Sequence, residues 1–182
     1  MTSNSLSKRK NWQLNAKLNG NNGENHVMKL INSKLNTDWV PISPKEIFKG
    51  IYGKLDISNI KKYNLIHRTK MEQRVEPDLC FYNTKTKEYI VIEVKNQKAR
   101  GNAHERAYRW IAKLPLIKKH LNIDYNPMVI IFTGGMCYHE KYVTELTSVF
   151  TNNPEWTNRW SLEQDLPNNI NKWFPNTYNE EP

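Results

Sequence analysis

The run Tyr89-Ile90-Val91-Ile92-Glu93-Val94-Lys95 constrains the fold more than any other stretch of the chain. Its β-branched and aromatic residues read as a strand. Side chains alternate across a strand, so Glu93 and Lys95 share one face while Ile90, Ile92 and Val94 share the other. A strand that is apolar almost throughout, and then ends in a carboxylate and an ammonium, is an interior strand whose charges emerge at a sheet edge or in a cleft.

Leu79-Cys80-Phe81-Tyr82 reads as the preceding strand, and Asn83-Thr84-Lys85-Thr86-Lys87 as the polar turn that makes the two a hairpin. Asp78 then stands at the start of one strand and Glu93 near the end of its antiparallel neighbour, so the two carboxylates can face each other. Such a pair repels unless a cation bridges it, and hard oxygen ligands select Mg²⁺ or a similar ion. Lys95 would stand beside that metal. On these residues alone a blander reading is equally open, with Pro77-Asp78 as a turn and Glu93 and Lys95 as a solvated strand end.

From Asn102 to Leu114 the apolar residues Ala103, Ala107, Trp110, Ile111 and Leu114 fall at helical spacing, and Asn102, Arg106, Arg109 and Lys113 form a separate stripe. Gly101 frees the start, Asn102 suits an N-cap, and Pro115 is expected to end or kink the helix. A solvated basic face would look the same. An Asn and an Arg at the positive end of a helix are also suited to base edges, Asn to adenine and Arg to purine acceptors. Met128-Val129-Ile130-Ile131-Phe132-Thr133 reads as a buried strand closed by Gly134-Gly135. A hairpin followed by such a β-α-β unit gives an α/β fold with a mixed sheet flanked by helices.

A chain of 182 residues with 38% hydrophobic content is expected to form a single domain, residues 1–182. A formal charge of +9 and a pI near 9.5 suit a polyanionic partner. Charge alone leaves nucleic acid, anionic membrane and ribosome all open. No stretch reaches the ~18 apolar residues of a membrane span, and the polar N-terminus does not read as a signal peptide, so a soluble cytoplasmic protein is expected. Cys80 and Cys137 lack zinc-type spacing and are expected as reduced thiols.

Met1 to Lys10 reads as a mobile arm. A helix is expected from about Glu24 to Leu35, with Glu24, Met28, Ile31 and Leu35 on one stripe. Glu24, on these residues alone, reads as a charge favourable to the helix dipole. Ile42–Phe48 and Ile57–Ile66 read as short helices, and Arg68, Lys70 and Arg74 as a basic approach to Asp78. Trp156, Trp160, Trp173 and Phe174 read as packing or subunit contacts.

Asp78, Glu93 and Lys95 occupy positions that resemble the signature of the PD-(D/E)xK nuclease superfamily. Arg100-Gly101-Asn102-Ala103-His104-Glu105-Arg106 resembles the recognition segment of the EcoRI-like and MunI-like type II restriction endonucleases, whose Gly-Asn-Ala-x-x-Arg follows the catalytic Lys. The likeness extends loosely to Asn11-Trp12-Gln13 and the Glu24 region and fades after residue 113. It implies a restriction-endonuclease fold and a homodimer cutting both strands of a palindromic DNA duplex. In it Asp78, Glu93 and the main-chain carbonyl of Val94 would hold Mg²⁺, with Glu24 in support, and Lys95 would assist the attacking water. The products would carry 5′-phosphate and 3′-hydroxyl ends, and a cognate methyltransferase would belong to the same system. It also implies that Asn102, Ala103 and Arg106 read AATT, that Glu105 braces them, and that Arg100 reads an outer pair, as in CAATTG. Arg109 and Lys113 continue the DNA-facing stripe.

One departure bears on the site size. Only Asn96 to Arg100 separate Lys95 from Gly101, whereas the relatives have a longer insertion there, which keeps AATT alone open as the site. Two rival functions remain: a resolvase or repair nuclease would share Asp78, Glu93 and Lys95 but not Gly101 to Arg106. A non-catalytic DNA-binding protein would share the basic helix without needing the carboxylate pair.

Overall fold

A computed structural model describes residues 22–49, 52–54, 72–98 and 101–175. In chain order these form α1 (22–32), β1 (Trp39–Ile42), the single turn α2 (Pro44–Ile47), β2 (Tyr52–Lys54), β3 (Glu72–Arg74), β4 (Leu79–Asn83) and β5 (Tyr89–Asn96). There follow α3 (Ala103–Leu121), β6 (Met128–Thr133), a 3₁₀ turn (Gly135–Tyr138), α4 (Glu140–Thr151), β7 (Trp160–Leu162) and α5 (Leu166–Trp173). The main sheet has the order β1-β4-β5-β6-β7, and β2 pairs with β3 in a separate ribbon.

The sheet is mixed, as the sequence implies. β4 runs antiparallel to β1 and β5, while β5, β6 and β7 are parallel. The hairpin between β4 and β5 is set by Asn83, whose Oδ1 accepts the N–H groups of Lys85 at 2.9 Å and Thr86 at 3.0 Å. Parallel strands need a long connection, and α3 supplies it between β5 and β6.

Alternation along the central strands loads both faces. Val91, Ile130 and Phe132 pack with Ala107, Trp110, Leu114 and Ile117 of α3 and with Leu146 and Phe150 of α4. Ile90, Ile92, Val94, Val129 and Ile131 pack on the other face with Val27 and Ile31 of α1 and with Leu166, Ile170 and Trp173 of α5. The product is a three-layer α/β sandwich, with each buried Val, Ile, Leu or Phe side chain worth roughly 1.5–3 kcal/mol relative to exposure.

Several expectations need correction. α3 does not end at Pro115 but runs on through it to Leu121, where Asn122 closes it in the left-handed conformation at φ 54°. Proline costs the helix one N–H, but Leu114 and Ile117 on either side of it are fully buried against the sheet, and that packing carries the helix onward. Where a helix was expected over Ile42–Phe48 there is the end of strand β1 and only one helical turn, because β4 needs a partner on its outer edge. The helix near Glu24 spans 22–32. Strand β7 was not anticipated at all.

Trp156, Trp173 and Phe174 are buried core residues, and Trp160 stacks on Phe150. Cys80 and Cys137 are buried free thiols, and burial pushes them up to about 12 and about 11, respectively. No described helix is long and apolar enough to cross a membrane. Met1 to Lys10, Asn11 to Gln13, Ile57–Ile66, Arg68, Lys70 and Arg100 lie outside the described residues.

Candidate active site

The register of the hairpin brings the acidic pair together. Leu79 lies opposite Ile92, so one further step sets Asp78 opposite Glu93. Asp78 donates its N–H to the Ile92 carbonyl at 3.1 Å, and its Oδ2 accepts the Val94 N–H at 2.7 Å. In β5 the odd-numbered residues bond β6, since Val91 N–H reaches the Pro127 carbonyl and Gln97 N–H the Thr133 carbonyl. The main-chain groups of Val94 therefore turn to the β4 side, which points its carbonyl to the edge that holds Asp78.

Glu93 and Lys95 project to the α3 face, as alternation requires. Glu93 is 6% exposed, its Oε1 accepts the Lys95 ammonium, and the Trp110 side chain of α3 donates to the same carboxylate. Oε2 is buried with no hydrogen-bond partner among the described residues. Burial pushes Glu93 up to about 7, with the Lys95 charge pulling down against the Asp78 charge. Asp78 is also raised, by burial above all, despite its hydrogen bond from Val94.

Glu24 joins them from α1. Burial raises its pKa, and the charge of Asp78 adds to the rise. Its place depends on Gly23, where a Cβ would meet the Asn96 Cβ at 2.8 Å and the Thr133 Oγ1 at 3.1 Å, so only glycine lets α1 come this close to the ends of β5 and β6. Among the described residues no three His, Cys, Asp or Glu side chains gather into one metal cluster, so Glu24 borders the pair rather than completing a carboxylate triad.

The geometry fits a hard cation. Three carboxylates are disfavoured in their charged forms, two of them repel at one edge, and a buried carboxylate oxygen lacks a partner. Asp78, Glu93 and the Val94 carbonyl are the groups placed to hold one, with the Lys95 ammonium alongside.

The basic stripe of α3 begins next to this site. Asn102, Glu105, Arg106 and Arg109 are exposed, and Lys113 is half-buried with its ammonium 4.2 Å from the Trp110 ring centre. Burial lowers the Lys113 pKa, and the Glu93 charge counteracts that. Ala103, also expected among the DNA readers, has its side chain turned inward. It is fully buried and its N–H is taken by the Gln97 side chain at 2.8 Å, so its methyl packs against the sheet rather than facing outward. The Tyr108 hydroxyl donates to Glu145 Oε1 at 2.9 Å, and His104 Nε2 lies 3.6 Å from Glu145 Oε2, which holds α3 on α4.

Two contributors were not singled out from the sequence. Trp110 read as packing alone, because helical periodicity shows the buried face but not the carboxylate under it. Gln97 carried no signal, since a polar residue after a strand reads as loop.

A family model described as the type II restriction enzyme MunI matches residues 1–179. The MunI enzyme of a Mycoplasma species is 28% identical over 163 residues, spanning 78% of this chain and 80% of that protein. The crystal structure of MunI restriction endonuclease in complex with cognate DNA superposes with a TM-score of 0.56 at 18% identity, covering 79% of this chain and 82% of that one. That likeness places the fold, a mixed sheet with helices on both faces.

Proposed function

The chain belongs to the MunI family of type II restriction enzymes and is a site-specific deoxyribonuclease, and from that premise we propose that it acts as a homodimer on palindromic DNA containing AATT, using Mg²⁺. The observation that carries this reading is the convergence of Asp78, Glu93 and Lys95 at one sheet edge, with Glu93 Oε2 buried and without a hydrogen-bond partner among the described residues. Asp78, Glu93 and the Val94 carbonyl hold the ion, and Glu24 adds negative charge behind them. When bound, the ion supplies Lewis-acid chemistry and charge neutralisation at the scissile phosphate. Lys95 orients the attacking water and offsets negative charge developing on the phosphate, and Glu93 fixes the Lys95 ammonium. No covalent nucleophile from the protein takes part, and the products carry 5′-phosphate and 3′-hydroxyl ends.

Asn102 and Arg106 read the adenines and their partners in the major groove, with Glu105 bracing them, and Arg109 contacts the DNA backbone. Lys113 feels the charge of Glu93 and assists the charge balance there. Arg100 reads an outer pair in a site such as CAATTG, while AATT alone is the site if it contacts only phosphate. Two-fold symmetry of the dimer mirrors the palindrome. The protein works in the cytoplasm, where a methyltransferase of the same system protects the host DNA.

Asp78→Asn, which keeps an acceptor for the Val94 N–H, and Lys95→Ala are the decisive variants. Both should lose cleavage and keep specific binding in a gel shift with Ca²⁺. Substantial cleavage by either one would overturn the assignment. Arg100→Ala should relax the outer pair by about 1–3 kcal/mol if it reads a base, and weaken every sequence alike if it touches phosphate.

A further inference from the structure

The first turn of a helix carries N–H groups with no partner inside the helix, and an Asn at the N-cap ordinarily supplies one from its own side chain. Asn102 occupies the N-cap of α3 and makes no such bond; its backbone, at φ −119° and ψ 30°, lies outside the extended region usual for a cap. The N–H one position earlier has its own acceptor. Gln97 Oε1 takes the Ala103 N–H at 2.8 Å, across six positions of sequence.

Gln97 is itself fixed. Its N–H donates to the Thr133 carbonyl and its carbonyl accepts the Met136 N–H, each at 3.1 Å, so it is pinned to the end of β6 and the turn that follows. It lies two residues beyond Lys95 on the same chain. Gly101 makes the cap possible, because a Cβ there would lie 2.6 Å from Gln97 Oε1 and 2.8 Å from its Cδ. Gly135 lets the Lys98 backbone approach the turn after β6, since a Cβ on it would fall 1.6 Å from the Lys98 carbonyl oxygen. The end of β5 is thus tied to the start of α3 through one carboxamide.

We infer that Gln97 is a positioning residue for recognition: its carboxamide holds the first N–H of α3, and so fixes where the helix begins and where the exposed Asn102 stands relative to the strand that carries Lys95. This rests on the assignment of Asn102 as a base reader under Proposed function. Without the Gln97 acceptor, the first turn of α3 loses its tie to the end of β5, and Asn102, at the N-cap, shifts with it. Because the brace starts two residues from Lys95, it also sets the base-reading end of the helix relative to the catalytic strand.

The test uses the full chain and compares Gln97→Ala, Gln97→Glu, Asn102→Ala and the double variant Gln97→Ala/Asn102→Ala. Each is assayed on a CAATTG duplex and on one in which a central A·T pair is replaced by G·C, with far-UV melting as a control. Gln97→Ala should reduce discrimination between the two duplexes at least about tenfold, with a much smaller change in kcat on saturating cognate DNA. Gln97→Glu should restore discrimination, because a carboxylate is a good acceptor at a helix N-terminus. The double variant should discriminate no worse than Asn102→Ala alone, as expected for two residues acting through one contact. If Asn102→Ala lowers discrimination while Gln97→Ala does not, or if Gln97→Glu behaves like Gln97→Ala, the inference about Gln97 is wrong and the base-reading assignment stands. If Asn102→Ala leaves discrimination unchanged, the base-reading assignment itself is wrong and the role given to Gln97 goes with it.

Discussion

Replacing Glu93 by glutamine should make the metal-free protein more stable at pH 8 while abolishing cleavage. Burial raises Glu93 from an ordinary 4.5 to about 7, so its charged form is the costly one in the folded chain. The sign follows from linkage: the stability tied to this group is complete below 4.5 and is lost as pH rises through about 7. At about 1.4 kcal/mol per pH unit that interval is worth about 3 kcal/mol, or ~6–12 °C in Tm for a chain of this size. Glutamine keeps the shape and can present its carbonyl oxygen to Lys95, so the substitution removes mainly the buried charge. Melting both proteins in EDTA at pH 5 and pH 8 reads the effect directly. The wild type should lose stability relative to the variant between the two pH values, and Mg²⁺ at pH 8 should restore the wild type but not the variant. A variant that is less stable at pH 8, or a difference that does not change with pH, would refute the account of Glu93 as a buried carboxylate awaiting a cation.

Trp110→Phe keeps a ring beneath Lys113 but removes the donor to Glu93, so kcat should fall roughly tenfold, in line with ~1.5 kcal/mol for a hydrogen bond to a charged group, while binding in Ca²⁺ stays unchanged; an unaltered kcat would mean Trp110 only packs. Gly23→Ala drives a Cβ into Asn96 and Thr133 and displaces Glu24, so the Mg²⁺ concentration for half-maximal cleavage should rise several-fold; an unchanged Mg²⁺ titration would remove Glu24 from the metal site. Arg109→Ala should weaken binding alike at cognate and unrelated duplexes and lower the salt slope of log K by about one per protomer, whereas a loss confined to cognate DNA would make Arg109 a base reader.

The hairpin of β4 and β5 was legible from sequence because one physical rule governs it. A strand buried on both faces tolerates charge only where it is paired, so Glu93 and Lys95 at the end of β5 stand out as a buried ion pair, and the turn at Asn83 fixes which residue faces them. β6 was legible for the same reason, as all of its residues are buried. Elements whose existence depends on distant partners were not legible. β1 forms because β4 has an open edge, β7 because β6 does, and neither Trp39–Ile42 nor Trp160–Leu162 alternates clearly enough to announce a strand. Pro115 misled because local propensity was weighed without the packing of Leu114 and Ile117 on the sheet. Gln97 was invisible because its meaning lies in a bond to Ala103 that exists only once the link between β5 and α3 has folded.

The central claim is that this chain cuts DNA at a fixed sequence through the Asp78, Glu93 and Lys95 site. Plasmid DNA incubated with the purified protein and Mg²⁺, followed by sequencing of the fragment ends, tests it most directly. The account predicts discrete fragments whose 5′-phosphorylated ends all map to sites containing AATT, and none from the Lys95→Ala protein. Smeared or structure-dependent products would indicate a nuclease without sequence recognition, no cutting would indicate a DNA-binding protein without catalysis, and discrete ends lacking AATT would contradict the reading of Asn102 and Arg106.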